Sequence, residues 1–348
     1  MKKTTNTVID LFCGCGGLSY GFIEAGFNVI LGIDHWKDAI KTFEKNHSNS
    51  IGVVTDLSTE SVKEICTNYK IDQVDLIIGG PPCQGFSIAG KRIIEDERNK
   101  LYQSFVNFVE HVRPKAFIME NVPNIVSIGE GVIRNKIISD FENLGYTVDY
   151  KILLASEFGV PQNRRRAIFV GLKGQTKFVF PKSTIEQLVT SFEAISDLPE
   201  HSIIDGSNYY NKPESKYQEQ CRVNSSGIYN HEITNHDIKT IDIISKVPDG
   251  GNYKNLPIEL QKTRNVHIAW TRLNSSKPSF TIDTGHRHHF HYKYNRIPTV
   301  RESARIQSFP DCFIFYGSKT SQYKQVGNAV PPLLAKQLAI AIKPYINE

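Results

Sequence analysis

A single cysteine stands where a nucleophile could work. Cys83 follows two prolines in GGPPCQGFS, residues 79–87. The apolar run VDLIIGG at 74–80 reads as a buried strand, so Cys83 falls at its carboxyl end, where open α/β sheets place their sites. A lone cysteine is ordinarily a small buried hydrophobe. Here the polar and basic stretch QGFSIAGKRIIEDERNK follows it, which predicts a loop able to close over a substrate. Glu120, in ENV at 120–122, ends another apolar strand. A carboxyl there is a natural partner for the thiol, against the plainer roles of solvated carboxylate or helix cap. In VPQNRRRAIFVG, at 160–171, Gln162, Arg164, Arg165 and Arg166 precede a further strand, and the arginines read as a solvated or phosphate-binding patch.

A different chemistry is written into DLFCGCGGLSYGF, residues 10–22. A strand runs into Gly14, Gly16 and Gly17, which permit positive φ and a close approach of backbone to ligand. The helix that opens there offers free N–H groups. By itself this is equally a tight turn. Asp34 in GID follows about twenty positions after the glycines, where a ribose hydroxyl would be held. Asp56 in VVTDL is placed to reach an adenine edge. Together the three features point to a nucleoside cofactor.

The elements that must hold these groups alternate. VIDLF (8–12), NVILGID (28–34), VDLIIGG (74–80), AFIMENV (116–122) and RAIFVGL (166–172) read as strands, with helical stretches such as Lys100–His111 and Val132–Leu144 between them. This predicts an α/β fold with a doubly wound, mostly parallel sheet. From about Phe180 to about Asn295 the alternation stops, and Asn, Ser, Tyr and Pro dominate. Order returns in TVRESARIQSFP, which reads as a helix, and in NAVPPLLAKQLAIAIKPYI, an amphipathic closing helix after Gly327.

Bulk properties narrow the class. The 348 residues are 40% hydrophobic and 22% charged, enough apolar material for a full core, and the net charge of +5 is a mild basic lean compatible with nucleic acid. MKKTTNTVIDLF is too short an apolar run for an export signal. No stretch approaches the roughly 18 apolar residues of a membrane helix. The six cysteines are scattered, without a C-x-x-C pair, which argues against a disulfide framework or zinc site and for a cytoplasmic protein.

The motifs DLFCGCGG, GGPPCQGFS, ENV, QNRRR, TVRESARIQSFPD and QVGNAVPP occur in the order found in DNA cytosine-5 methyltransferases. The chain resembles that family over both ends, everything except roughly 180–290, and its compactness resembles the bacterial type II modification enzymes. The resemblance implies the class I fold of methyltransferases that use S-adenosylmethionine, with a smaller irregular target-recognition domain. It divides the chain into a catalytic and cofactor-binding domain (1–185), the recognition domain (186–295), a hinge (296–321) and a segment returning to the catalytic domain (322–348).

The implied reaction is methyl transfer to C5 of cytosine in a short double-stranded DNA site of about four to six base pairs, with the base flipped out of the duplex. Cytosine C5 is a poor nucleophile, so a thiolate must first add at C6. By resemblance Cys83 does this, Glu120 serves N3, Arg166 steadies O2, and Arg164 belongs to the same network. For its role Glu120 must carry a proton, which burial would favour. The implied cofactor pocket uses Phe12, Gly14, Gly17, Asp34, His35, Asp56, Leu57, Pro82 and Leu101, with Asn328 and Val330 returning to it. Asp34 stands where the family often has Glu; the charge is kept. The mechanism calls for no metal.

For DNA contact the loop after Cys83 supplies Ser87, Lys91, Arg92 and Arg98. In the middle region Lys262, Arg264, Arg272, Lys277, Arg287 and Lys293 face one acid, Asp283, with Trp270, Phe280, Phe290 and Tyr292 interleaved. That mixture suits a DNA-facing surface, and Arg272, Arg287 and His289 are its candidates. GHRHHFH at 285–291 also invites zinc, but no cysteine or acid cluster accompanies it. Two rivals stand beside the main reading. A tRNA-methylating branch carries Cys-Phe-Thr in this region, whereas Cys221 here precedes Arg222. A DNA-binding regulator on a dead scaffold would not need Cys83, Glu120 and Arg166. A monomer is expected, with a separate restriction endonuclease as companion.

Overall fold

The computed structural model describes residues 6–82, 100–261, 270–285 and 289–347. The calls on Cys83, Ser87, Lys91, Arg92, Arg98 and Arg287 lie outside the described residues, as do Lys262 and Arg264. The chain forms two compact units: Met1–Leu154 with Arg165–Lys182 and Leu334–Glu348, and Ala155–Arg164 with Ser183–Leu333. These bounds differ from the division read off the sequence in assigning 155–164 and 322–333 to the second unit.

The first unit is built on a seven-stranded sheet. Its strands are β1 (Thr7–Leu11), β2 (Asn28–Asp34), β3 (Ile51–Val54), β4 (Leu76–Gly79), β5 (Ala116–Asn121), β6 (Tyr146–Leu154) and β7 (Arg165–Lys173). The order is β3-β2-β1-β4-β5-β7-β6. All pairs up to β5 are parallel, while β7 runs antiparallel to both β5 and β6. Helices α1 (Gly17–Glu24), α2 (Lys37–Asn46), α3 (Val62–Asn68), α4 (Lys100–Val112) and α5 (Val132–Glu142) alternate with the strands. The doubly wound, mostly parallel expectation holds.

Parallel strands covered on both faces need continuous apolar runs. Ile9, Leu76, Ile77, Ile78, Phe117 and Ile118 accordingly have no exposed surface. In α4, Tyr102, Phe105, Phe108 and Val109 face inward while Gln103, Asn107 and Glu110 face out, the spacing of an amphipathic helix. Phe105, Phe117 and Phe141 then pack edge to face and tilted under the sheet. The two strands not read from the sequence, β3 and β6, are the two edges. There Ile51 and Val54 are about half exposed; β3 is an apolar run of only four residues, IGVV, and β6 has polar residues among its apolar ones.

The second unit has short helices: α6 (Ser191–Ile195), α7 (Lys216–Arg222), α8 (Ile238–Ser245), α9 (Ile258–Gln261), α10 (Val300–Ile306) and α11 (Lys319–Asn328). The closing helix α12 (Pro332–Asn347) carries the chain back into the first unit. Two-residue strand pairs, Gln162–Asn163 with Ser279–Phe280 and Thr271–Arg272 with His289–Phe290, add small ladders. Helix α10 is the TVRES segment. Thr299 and Glu302 form a reciprocal capping box at its start, and all seven of its residues are buried.

Burying so polar a helix requires partners for its charges. Arg296 meets Glu302 through two bonds of 2.7 Å. Burial alone would push the Glu302 carboxyl up; Arg296, with His291 behind it, outweighs that and holds it well below the usual range. Arg301 donates to the carbonyls of Tyr229, Pro310 and Phe313. Arg305 pairs with both Asp197 and Asp311, and Tyr209 donates to Asp311 at 2.7 Å.

The network yields a prediction. Arg305→Met removes one cationic partner from each of two buried carboxylates, leaving Asp197 to Arg222 and Asp311 to Arg301 at 3.7 Å, and should lower unfolding free energy by about 3 kcal/mol. Lys246→Ala removes only the exposed pair with Asp242 and should cost less than about 1 kcal/mol. Urea unfolding followed by circular dichroism checks both; equal losses would contradict the assignment of the core.

Candidate active site and cofactor pocket

Strand register sets the site. Leu11 of β1 pairs with Gly79 of β4, and Gly79 pairs with Met119 of β5. The carboxyl ends of three neighbouring parallel strands therefore lie at one level, bringing the glycine turn, the Pro81–Pro82 segment and Glu120 to the same edge. A side chain at Gly79 would strike the Leu11 carbonyl oxygen, its Cβ only 2.2 Å away. Asn121 donates its amide to the Pro81 carbonyl at 3.0 Å, tying the prolines to the end of β5.

Because β7 is antiparallel, its first residues meet the last residues of β5, with Asn121 opposite Ala167. This places the Arg166 Nε 2.7 Å from the Glu120 Oε1, both side chains about seven-eighths buried. Beside the burial expected for Glu120, a guanidinium stands against its carboxyl. The pair is ordered to present one face to a planar ligand. Pro82 is half-buried and is the last described residue before the cysteine.

The neighbouring arginines part ways. Arg165 is exposed. Arg164 is 1% exposed, lies in the second unit, and donates to the carbonyls of Ile282 at 3.2 Å and Gly327 at 2.8 Å. It is a buried clamp on the backbone of the QVGN segment. Two of its N–H groups are thus directed to main-chain oxygens of its own unit. Gln162 likewise turns inward, bonding Gln307 and the Ile282 N–H.

The glycine turn closes as its composition demands. Phe12, Gly14 and Gly16 have positive φ of 59°, 54° and 91°. Gly16 caps α1 without any side-chain bond and leaves no space for a Cβ against His47 and Phe43. Gly17 begins the helix. Asp34, at the end of β2, accepts the Gly14 N–H on Oδ2 and the Trp36 N–H on Oδ1, both at 2.9 Å. His35 stands beside it, exposed, with Nδ1 3.3 Å from Oδ1. Asp56 is exposed and accepts both Ser58 donors, which lower its carboxyl. Leu57 is buried, and its carbonyl accepts the Ser104 hydroxyl at 2.6 Å, joining it to α4 three residues from half-buried Leu101. Asn328 and Val330 lie in the second unit, the first exposed at the end of α11, the second buried.

Residues 6–344 match the family of C-5 cytosine-specific DNA methylases. The chain belongs to that family. It is 39% identical over 346 residues to the type II methyltransferase M1.HphI of Haemophilus parahaemolyticus, covering 98% of this chain and 88% of the relative. It is 40% identical over 371 residues to M.DdeI of Desulfomicrobium norvegicum, covering 98% and 89%. A crystal structure described as a DNA modification methyltransferase encoded within a prophage (E. coli) superposes with a TM-score of 0.82 at 29% identity, covering 99% of this chain and all of that one. This methylase transfers a methyl group from S-adenosylmethionine to C5 of cytosine in DNA, and the tRNA and inactive-regulator readings are disfavoured.

The pocket residues fit that donor. A Cβ on Gly14 would meet nothing within 4 Å, so the turn opens onto free space. The start of α1 offers N–H groups uncapped by any side chain. Asp34 has spent two of its roughly four acceptor positions, leaving room for vicinal hydroxyls.

Two DNA-contact candidates are corrected. Arg272 is 4% exposed and donates to the carbonyls of Val247, Ile244, His291 and Tyr294 and to Asn295. His289 is 8% exposed and packs its ring 4.1 Å from that of Phe280. Both are interior supports. His291, from the same histidine run, is buried against Glu302, and burial pushes its imidazole down to about 3. Sequence reading passed over Asp10 and Asn121; an acid inside an apolar strand was the available signal for the first.

Asp34→Ala should weaken S-adenosylmethionine binding by ten- to a hundredfold, from a charge-assisted bond worth roughly 1.5–3 kcal/mol. DNA affinity should stay nearly constant. Calorimetric titration with the donor checks this, and an unchanged Kd would place the ribose elsewhere.

Proposed function

We propose that this protein is a type II modification methylase that works through a covalent adduct between Cys83 and a cytosine flipped out of double-stranded DNA. The observation that supports it most is the Glu120–Arg166 pair at the strand ends beside Pro82, the residue directly before Cys83.

The Cys83 thiolate adds to C6, forming an S–C bond and pushing the ring's π electrons toward N3. Glu120 holds or supplies the proton at N3, and Arg166 donates toward O2 while keeping Glu120 in place. C5 becomes enamine-like. S-adenosylmethionine supplies an electrophilic methyl group on its sulfonium. After C5 is methylated, water removes its proton and the S–C6 bond breaks to restore Cys83. Asp34 with the Gly14–Gly17 turn binds the donor, His35, Asp56 and Leu57 border its base, and Phe12, Pro82 and Leu101 line the approach. Ser87, Lys91, Arg92 and Arg98 hold phosphates around the extruded base. It modifies a short site, as a cytoplasmic bacterial monomer, alongside a separate endonuclease of the same specificity.

Cys83→Ser should abolish methyl transfer and spare DNA binding. Wild type should be trapped on DNA carrying 5-fluorocytosine, because fluorine cannot leave as a proton. A denaturing gel without a shifted band, under conditions of normal transfer to ordinary DNA, would sink the adduct.

With Arg272 and His289 assigned to the interior, Arg287 carries the proposal for sequence reading in the Lys262–Lys293 stretch. An arginine paired with guanine is worth about 1–3 kcal/mol of discrimination. Arg287→Ala should lose that at one base pair in competition binding with single-base variants. A loss spread evenly over sequences, with a smaller salt slope, would make it a phosphate contact instead.

A further inference from the structure

Ser104 lies in α4, one turn in from its start at Lys100, and is 7% exposed. Its hydroxyl has one proton to give and stands near two carbonyl oxygens, that of Leu57 at 2.6 Å and that of Lys100 at 2.8 Å. The Lys100 carbonyl is four residues back in the same helix, where the main-chain N–H of Ser104 itself can serve it. Leu57 lies in a turn, outside helix and strand, 47 positions away in the chain. A buried carbonyl there needs a donor from elsewhere. The shorter contact and the greater need both assign the proton to Leu57. The anchor is firm, because the Leu57 side chain packs in one apolar cluster with Tyr102 and Phe105 of the same helix.

The Leu57 carbonyl and the Ser58 N–H are the two ends of one peptide plane. The Ser58 N–H donates to Asp56 Oδ1 at 2.9 Å, and the Ser58 hydroxyl donates to the same oxygen at 2.7 Å. Holding the carbonyl against α4 therefore sets the N–H at the far end of the plane, and with it the carboxylate that this N–H grips. Oδ2 has no hydrogen-bond partner among the described residues, and Asp56 is exposed. The two Ser58 bonds, the hydroxyl's first, hold the carboxyl below its ordinary value. The oxygen left over is that of an ionised group, which accepts hydrogen bonds and donates none.

An acceptor of this kind selects a base with an amino group over one without. We propose that Ser104 is a positioning residue for the base of the methyl donor, acting through the Leu57–Ser58 peptide to hold the Asp56 carboxylate toward the adenine amine. The inference rests on Asp56 bordering that base. Ser104 works at one remove: its hydroxyl is given to the Leu57 carbonyl. Without it the peptide is free to rotate, and the carboxylate keeps its charge but loses its direction.

The test is calorimetric titration of the full-length protein, without DNA, with S-adenosylhomocysteine and with its analogue carrying purine, which lacks the amino group, in place of adenine. Wild type should prefer the adenine compound by roughly ten- to a hundredfold, the strength of one charge-assisted bond. Ser104→Ala should weaken binding of the adenine compound about five- to tenfold and of the purine compound less than about twofold, so that the preference narrows. Ser104→Thr keeps the hydroxyl and should keep the preference; Ser104→Val, of the same shape, should not. Any damage that a branched side chain does to α4 is common to that pair and to both ligands. Equal weakening of the two compounds by Ser104→Ala makes the residue a packing contact and overturns the proposal, as does a preference unchanged from wild type. Asp56→Ala separates the two layers. If it abolishes the preference while Ser104→Ala leaves it intact, Asp56 keeps its place at the base and the role of Ser104 falls. If wild type shows no preference, both fall.

Discussion

Parallel pairing of β1, β4 and β5 is the constraint on which the catalytic unit depends. Hydrogen bonding in register puts the three carboxyl ends level, and each end carries a different part of the proposed site: the glycine turn, the segment leading to Cys83, and Glu120. An antiparallel β4 would send its proline end to the opposite edge of the sheet. The one reversal that does occur is equally necessary. Since β7 runs against β5, Arg166 arrives at Glu120; a parallel strand would deliver its last residue there instead. Local packing enforces the arrangement, as the Gly79 approach to the Leu11 carbonyl shows.

The second unit rests on charges where the first rests on apolar strands. Arg164, Arg301 and Arg305 are among the largest fully buried side chains of the described residues. Their guanidinium donors go to carbonyls and carboxylates in fixed directions. Replacing such networks by apolar groups often stabilises a protein, so their persistence here suits a unit of short helices and two-residue strands, which has few ladders to fix its backbone. Arg272 shows the same economy, joining Ile244, Val247, His291 and Tyr294 through one side chain.

That economy explains where composition misled. Basic residues among aromatics between Lys262 and Lys293 looked like a DNA surface. In a region with little regular structure, loops need their carbonyls satisfied internally, and arginine, with five donors, serves that need as readily as it serves phosphate. Arg272 went inside for this reason, while His289 packs its ring on Phe280. The same ambiguity separated Arg164 from Arg166: Arg164, just before β7, turns to main-chain oxygens of the second unit, while Arg166, inside β7, meets Glu120.

What the residues determined alone was the backbone logic and the chemical inventory. Apolar runs specified the inner parallel strands, TVRES specified a capped helix, and the glycines before α1 specified a turn that only small residues allow, with Phe12 as its exception. Those signals are local, because periodicity, capping and steric freedom act within a few residues. The tertiary structure decided exposure and charge state. Edge strands β3 and β6 were not legible, because β3 is only four residues long and β6 mixes polar with apolar residues. Arg164 finds its partner Gly327 at a separation of 163 positions, which no local pattern records.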